Sequence, residues 1–251
     1  MFNLTHVLYL VISLIITVVF LTLTGIFVKS EKHKKNILKI ISILTIVLHY
    51  SDVYVHFFKT GTAKINSSHL LPIYPCNIIM WLLLICSFLK KHDNKVAKCL
   101  LEFTFYAGVV CGTIGVVFNE NYGNNPTLAD WDIFKGLLSH STMIIGCIYI
   151  LVAKWIKIRV SNCISVFFGL CFFIIDGFII NGLYSIFNLG ECNAMYLQTP
   201  PFENAQWFGP WIMGMLGLIL VFIITALTEQ FTLKKEERWN ALIKEKIHSR
   251  N

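Results

Sequence analysis

Seven apolar segments, each close to the length a helix needs to cross a bilayer, occupy most of this chain. A spanning helix requires about 20 apolar residues, and in hydrocarbon only helices or closed barrels satisfy every backbone hydrogen-bonding group. Of the 251 residues, 56% are hydrophobic, and the mean hydropathy of +0.67 excludes a soluble globular domain. The segments are Thr5–Val28, Ile37–Phe58, Leu70–Leu89, Ala97–Phe118, Ile133–Trp155, Val160–Asn188 and Trp207–Gln230. We therefore predict an all-α, polytopic membrane protein with a seven-transmembrane-helix bundle over residues 1–232.

The distribution of basic residues predicts how this bundle is oriented. Most of the 21 Lys and Arg residues lie in alternate connections, at 29–35, 90–98 and 154–159, and in the tail after Leu233. The positive-inside rule then places the N-terminus outside and the C-terminus in the cytoplasm. The formal net charge of +7 thus reports orientation in the cell (plasma) membrane and does not indicate a nucleic-acid partner.

Residues 233–251 are predicted to form a basic amphipathic cytoplasmic tail. Its apolar side would carry Trp239, Leu242, Ile243 and Ile247, with basic residues opposite. Such a segment is typical of an anchor on anionic headgroups.

A short set of polar side chains falls inside the predicted spans. An ionisable group there costs a few kcal/mol unless it is paired or solvated, so each is a candidate for function. Counting about 1.5 Å per residue along each helix places Cys76, His140 and Asn181 roughly 10 Å below the outer surface. We expect Glu102 and Asp176 to be structural, joining neighbouring helices by hydrogen bonds. The remaining polar candidates are Asn77 on the third span and His49, Asp52 and His56, which share one face of the second.

Cysteine and histidine at one depth suit acyl transfer. A thiolate attacks carbonyl carbon well, and an imidazole can deprotonate the thiol and later protonate the leaving oxygen. Cys76 follows Pro75 at a predicted helix start, where backbone N–H groups are free to stabilise an oxyanion. Cys76 is therefore either this nucleophile, with His140 as its base, or a packing cysteine. The chemistry requires neither a metal nor a cofactor.

Three stretches of sequence give the chain a family resemblance. They are Leu71-Pro72-Ile73-Tyr74-Pro75-Cys76, then Leu137-Leu138-Ser139-His140, and finally Asn181 followed by Cys192-Asn193-Ala194-Met195-Tyr196-Leu197, Pro200 and Gly209-Pro210-Trp211. With these motifs the chain resembles the YwaF-like membrane proteins of bacteria, which are related to the transmembrane protein 164 acyltransferases.

The resemblance implies a cysteine–histidine acyltransferase that takes a fatty acyl chain from a phospholipid. Cys76 would carry the acyl group, His140 would act as base, and the acceptor would be a lysolipid or a lipoprotein. The side chains expected to bind substrate or support the pair are His49, Asp52, His56, Tyr74, Asn77, Asn181, Asn193, Tyr196 and Trp211.

Two other classes of function stay open at this point. A seven-helix zinc-dependent lipid hydrolase could use His49, Asp52 and His56 as ligands. A transporter or non-enzymatic lipid-binding protein would use breaks in its helices near the midplane, for which Gly177 and Gly182 are the only indication.

Overall fold

The computed structural model describes residues 3–62, 71–200 and 207–241, and over these residues the regular structure is entirely helical. Short connections join successive helices, as expected where each backbone group must be satisfied within its own segment. The helices are α1 (Leu4–Phe27), α2 (Glu31–His49), α3 (Ser51–Thr60), α4 (Pro75–Phe88), α5 (Lys95–Val117), α6 (Glu120–Asn124), α7 (Trp131–Val152), α8 (Asn162–Ile186) and α9 (Pro210–Thr232), with 3-10 turns at Ala194–Tyr196 and Lys235–Glu237.

Five helices in the described part of the chain are long and apolar enough to cross a membrane. They are α1, α5, α7, α8 and α9, and each lies within a few residues of a predicted span. The prediction of a multi-pass helical membrane protein is confirmed, with five helices that could cross a membrane, or six if α2 and α3 form one span. The count of seven and the orientation of the termini stay predictions.

The second predicted span is divided into two helices. α2 and α3 meet at Tyr50 with a bend of 42°. Neither proline nor glycine stands at the break, but the Ser51 hydroxyl donates to the Leu48 carbonyl over 2.7 Å, a contact that often bends a helix. Contacts with α7, described below, hold the bend in place.

The third predicted span contains a helix of only 14 residues, which rises about 21 Å. Pro75 occupies the first helical position of α4, and Tyr74 before it is extended, with φ −110° and ψ 152°. A residue that precedes proline is forced out of the helical region, so the helix starts here. The predicted first residue of this span, Leu70, lies outside the described residues.

α7 lies at the centre of the bundle, in contact with α1, α2, α4 and α5. Polar contacts join it to α1, where Tyr9 and Ser141 hydroxyls are 2.9 Å apart, and to α2, where Thr45 donates to Thr142 over 3.0 Å. Small residues let α5 approach closely, as is common between membrane helices. The glycines of α5 that meet α7 are Gly108, Gly112 and Gly115.

The remaining helices pack outward from α5. Ser165 on α8 donates a 2.5 Å hydrogen bond to Glu102 on α5, which is the structural role predicted for this carboxylate. α9 packs on α8, and Glu229 accepts hydrogen bonds from the backbone N–H groups of Val160 and Trp239 at 2.7 and 2.9 Å. The start of the predicted tail therefore folds against α9, while residues 242–251, with Leu242, Ile243 and Ile247, lie outside the described residues.

Candidate active site

Cys76 lies in the first turn of α4, beside a capping side chain. The Asn77 side-chain oxygen accepts a hydrogen bond from the Tyr74 backbone N–H over 3.2 Å. The Cys76 sulfur lies 4.0 Å from the same oxygen and donates to it. Asn77 is 3% exposed, so its amide holds the helix start and the thiol together away from solvent.

The other end of the Asn77 amide reaches α2. Its nitrogen donates to His49 Nε2 over 2.8 Å, which leaves the His49 proton on Nδ1. One amide thus connects the Cys76 thiol with the imidazole of His49. This link was not predicted, although both residues were candidates.

Lys135, on the first turns of α7, fixes the bend after His49. Its ammonium donates to the His49 carbonyl over 2.8 Å and pairs with Asp52 on α3 at the same distance. The side chains of Lys135 and Asp52 are only 12% and 19% exposed. Trp131 adds a hydrogen bond to Ser51 over 2.9 Å. Lys135 was not among the predicted site residues, yet a lysine inside a predicted span signals a need for a carboxylate partner.

His140 lies one turn further along α7. Its Nδ1 donates to the Gly136 carbonyl over 2.7 Å, so the neutral ring carries its proton there and Nε2 is an acceptor. Among the described residues, Nε2 has no hydrogen-bond partner. The ring packs on Gly115 of α5, where a methyl group would overlap it, while a methyl on Gly136 would meet only the Asn119 amide at 3.6 Å.

Helix register brings Cys76 and His140 to the same level. α4 and α7 both run antiparallel to α5, and Leu83 of α4 packs on Gly146 of α7. Cys76 lies two turns before Leu83 on α4. Ser139, the residue next to His140, lies two turns before Gly146 on α7. Both candidate residues are half-buried. The two therefore lie in one layer between α4, α5 and α7, and their depth below a membrane surface stays a prediction.

A loop after α8 covers this layer. The Asn181 side-chain amide makes two hydrogen bonds to the Ala194 backbone. It accepts from the N–H over 2.8 Å and donates to the carbonyl over 3.3 Å. Met195 then donates from its N–H to the Ile73 carbonyl over 2.8 Å, three residues before Cys76. Tyr196 places its ring 5.6 Å from that of Tyr74. Met195 and Tyr196 have φ of 55° and 56°, a conformation that costs non-glycine residues about 1–3 kcal/mol each.

Comparison with known proteins agrees with the motifs at this site. The model of the TMEM164 family matches residues 1–228, which include every candidate residue. The chain belongs to the TMEM164 family. No curated protein and no solved structure matches the chain.

The other predicted residues of this TMEM164 family member lie further from the thiol. Asn193 closes the loop by bonding Thr199, with 2.8 Å to its carbonyl and 2.7 Å to its hydroxyl. Half-buried His56 lies on α3, two turns beyond the bend. Trp211 is 64% exposed in the first turn of α9. Hydrogen bonds and a ring contact join His49, Tyr74, Cys76, Asn77 and Tyr196, while His140 shares their layer through helix register alone. The Asn181 amide is committed to the loop.

The zinc alternative depends on three converging ligands. Within the described residues, no group of three His, Cys, Asp or Glu side chains could hold a metal ion. The Asp52 carboxylate is instead paired with Lys135. The described part of this TMEM164 family chain thus offers no ligand set for a zinc hydrolase.

Proposed function

We propose that this TMEM164 family protein is a membrane acyltransferase that moves a fatty acyl chain from a phospholipid to a lysolipid or lipoprotein acceptor. The acyl chain is carried as a thioester on Cys76. The observation that supports this function is the shared layer of Cys76 and His140, in which the histidine presents an acceptor nitrogen. Family membership and the motif resemblance support the same chemistry by analogy.

In the first half-reaction, His140 Nε2 takes the proton of the Cys76 thiol. The thiolate attacks the ester carbonyl carbon, a C–S bond forms, and the C–O bond to the lysolipid breaks. The imidazolium returns its proton to the leaving oxygen. In the second half-reaction, an acceptor hydroxyl or amine attacks the thioester, the C–S bond breaks, and the acceptor proton returns to sulfur through His140.

His140 suits the role of base better than His49 does. The His49 Nε2 lone pair already accepts the Asn77 amide, whereas His140 holds its own proton on Nδ1 by bonding Gly136. His49 and Asn77 then hold the thiol in position. A neutral histidine whose tautomer is fixed by a backbone carbonyl is ready to accept a proton.

The start of α4 supplies a donor for the oxyanion. The first N–H groups of a helix have no intrahelical acceptor, and Pro75 contributes none. The backbone N–H of Cys76 is therefore available as a donor on the residue that carries the reacting sulfur. An amide placed where charge develops is worth about 10²–10³ in rate.

We also propose how the helices are oriented in the membrane. α2 with α3 and the short α4 would complete seven spans, with the N-terminus and Cys76 on the extracytoplasmic side of the cell membrane. The outer leaflet would then supply the phospholipid. Protease accessibility of tags at both termini in intact cells tests this orientation, and a protected N-terminal tag or an accessible C-terminal tag would overturn it.

An intact-mass measurement tests the function directly. Protein purified from membranes should carry a fatty acyl adduct that hydroxylamine removes, and Cys76→Ala should lack it. Cys76→Ser should either hold the acyl chain as a hydroxylamine-resistant ester or lose turnover. Cys111→Ala, on the neighbouring helix α5, is the control and should keep the adduct. Undiminished acyl exchange between lipids by Cys76→Ala would refute the proposal.

The non-enzymatic alternative predicts a different lipid profile. An acyltransferase alters the chain composition of its donor and acceptor lipid classes, whereas a transporter or lipid-binding protein leaves chain composition unchanged. Lipid profiles separate these classes when cells that lack the protein and cells that carry Cys76→Ala are each compared with wild type. An acyltransferase should give the same altered chain composition in both.

A further inference from the structure

Two consecutive residues in the loop after α8 adopt a strained backbone conformation. Met195 and Tyr196 have φ of 55° and 56°, in the left-handed region that residues other than glycine rarely adopt. Such a conformation persists only where the surrounding contacts over-determine it, and it is common at functional sites. Neither residue takes part in the acyl-transfer steps proposed above. The contacts that hold this loop therefore indicate what its strain supports.

The loop is held on α8 by the Asn181 side chain. The amide accepts from the Ala194 N–H over 2.8 Å and donates to the Ala194 carbonyl over 3.3 Å. Ala194 is buried and packs in one cluster with Ile180 of α8. A methyl group on Gly177 would lie 3.0 Å from both the Ala194 carbonyl oxygen and the Met195 Cβ, so the loop rests directly on the helix.

Met195 connects this loop to the start of α4. Its N–H donates to the Ile73 carbonyl over 2.8 Å, three residues before Cys76. Ile73 is buried and belongs to the same apolar cluster as Ala194. The loop thus joins α8 to the backbone that leads into the residue carrying the thiol.

The backbone before Cys76 has few donors with which to fix its own position. Pro72 and Pro75 have no N–H group. The Ile73 N–H closes a tight turn within the segment over 2.9 Å, and the Tyr74 N–H donates to the Asn77 side chain in the same helix start. The hydrogen bond from the loop ties this segment to a different part of the bundle.

We propose that Asn181 and Met195 are positioning residues for Cys76. The amide keeps the loop in its strained conformation, and the Met195 N–H fixes the backbone in front of the nucleophile. Neither residue touches the reacting atoms. A misplacement of about 1 Å at a reacting group can cost about 100-fold in rate, so this hold affects the chemical step. The inference rests on the proposed acyltransferase in treating Cys76 as its nucleophile.

Two glycines of α8 provide a matched test of the contact between loop and helix. Gly177→Ala adds a methyl group that must displace Ala194 and Met195, whereas a methyl group on Gly182 meets no described atom within 4 Å. We expect Gly177→Ala to lower kcat for acyl transfer by about 10-fold or more, with KM within about twofold of wild type, because the reacting sulfur is displaced. Gly182→Ala should leave both constants within about twofold.

Alkylation of the Cys76 thiol reports the same displacement without any turnover. The rate of its reaction with N-ethylmaleimide is measured by peptide mass spectrometry on protein in detergent, with Cys99 at the opposite end of the bundle as internal reference. We expect this rate to rise severalfold in Gly177→Ala, because the displaced loop uncovers the thiol, and to stay at the wild-type value in Gly182→Ala.

Substitution of Asn181 tests the amide itself. Asn181→Leu removes both hydrogen bonds to Ala194, whereas Asn181→Asp keeps an oxygen for the Ala194 N–H. We expect Asn181→Leu to match Gly177→Ala in kcat and alkylation, and Asn181→Asp to change both less. Tyr106→Phe removes a buried hydrogen bond to Asn162, 3.1 Å long, in the opposite half of the bundle. This control should lower the thermal midpoint and leave kcat and alkylation unchanged.

The outcomes separate positioning from general stability. If kcat and alkylation change equally in Asn181→Leu and Tyr106→Phe, the loop is only structural and the proposal is overturned. Wild-type kcat and alkylation in Gly177→Ala would overturn it as well. If the wild-type protein carries no acyl adduct while Cys76 alkylation still distinguishes Gly177→Ala from Gly182→Ala, only the acyltransferase fails and the positioning of the thiol stands.

Discussion

The Asn77 side-chain nitrogen donates to His49 Nε2 over 2.8 Å, joining the first turn of α4 to the last residue of α2. The same amide caps Tyr74 with its oxygen. Asn77→Ala should therefore lower the stability by about 1–3 kcal/mol, because the cap is lost and the buried acceptor on His49 loses its donor. Asn77→Asp retains an oxygen for the cap but loses the donor to His49. Thermal unfolding in detergent measures the first effect.

Comparing the two Asn77 variants isolates the link to His49. If the link positions Cys76, both variants should reduce acyl transfer at least tenfold, although Asn77→Asp keeps the capping oxygen. Normal activity in Asn77→Asp would show that the hydrogen bond to His49 is structural only.

Two glycines beside His140 provide a matched pair of substitutions. Gly115→Ala places a methyl group in the His140 ring, whereas Gly136→Ala meets only Asn119 at an ordinary 3.6 Å. We expect Gly115→Ala to reduce acyl transfer by 10-fold or more, roughly the effect of displacing a base, and Gly136→Ala to stay within about twofold of wild type. Equal activities in a rate assay would place the catalytic base elsewhere.

The contact between Lys135 and Asp52 should appear as a coupled pair. Lys135→Met leaves the Asp52 carboxylate without its cation. Removing one partner of a fully buried ion pair lowers the unfolding free energy by about 3–5 kcal/mol. The Asp52 side chain is 19% exposed, so we expect a smaller loss here. Asp52→Asn together with Lys135→Met should be less damaging than the sum of the two single changes. A double-mutant cycle on unfolding free energies measures this coupling, and additivity within about 0.5 kcal/mol would argue against it.

His92, in the connection between α4 and α5, makes stability depend on pH. Burial, followed by the nearby Lys35 charge, lowers the pKa of His92 from its usual 6.5, and the ring stacks on Trp155 at 4.3 Å. Because the folded state disfavours the charged ring, its contribution is complete above pH 6.5 and is lost as pH falls through the lowered pKa. His92→Gln should flatten the fall in thermal midpoint below about pH 6.5. An unchanged pH profile would assign the dependence to another group.

Helix length and the shared level of Cys76 and His140 were predictable because both follow from positions along single helices. Apolar length predicts the five long spans, and counting residues from each entry point places Cys76 and His140 at one level. The prolines before Cys76 also marked where α4 begins. These features require no knowledge of how helices rotate against each other.

The contacts across helices were not predictable in the same way. The bend at Tyr50 is held by Lys135 of a different helix, and the choice of His49 as partner of Asn77 depends on the rotation of α2 against α4. Asn181 shows the same limit. Its depth suggested a role beside the thiol, but its rotation directs the amide to Ala194.

If α4 crosses the membrane, as proposed above, its short length has a consequence for the surrounding lipid. Its rise of about 21 Å falls roughly 9 Å short of a typical hydrocarbon thickness. A bilayer that meets so short a wall thins locally, and its headgroups sink toward the end of the helix. Ester linkages would then descend toward Cys76 without extraction of a whole lipid, so reaction rates should rise in thinner membranes.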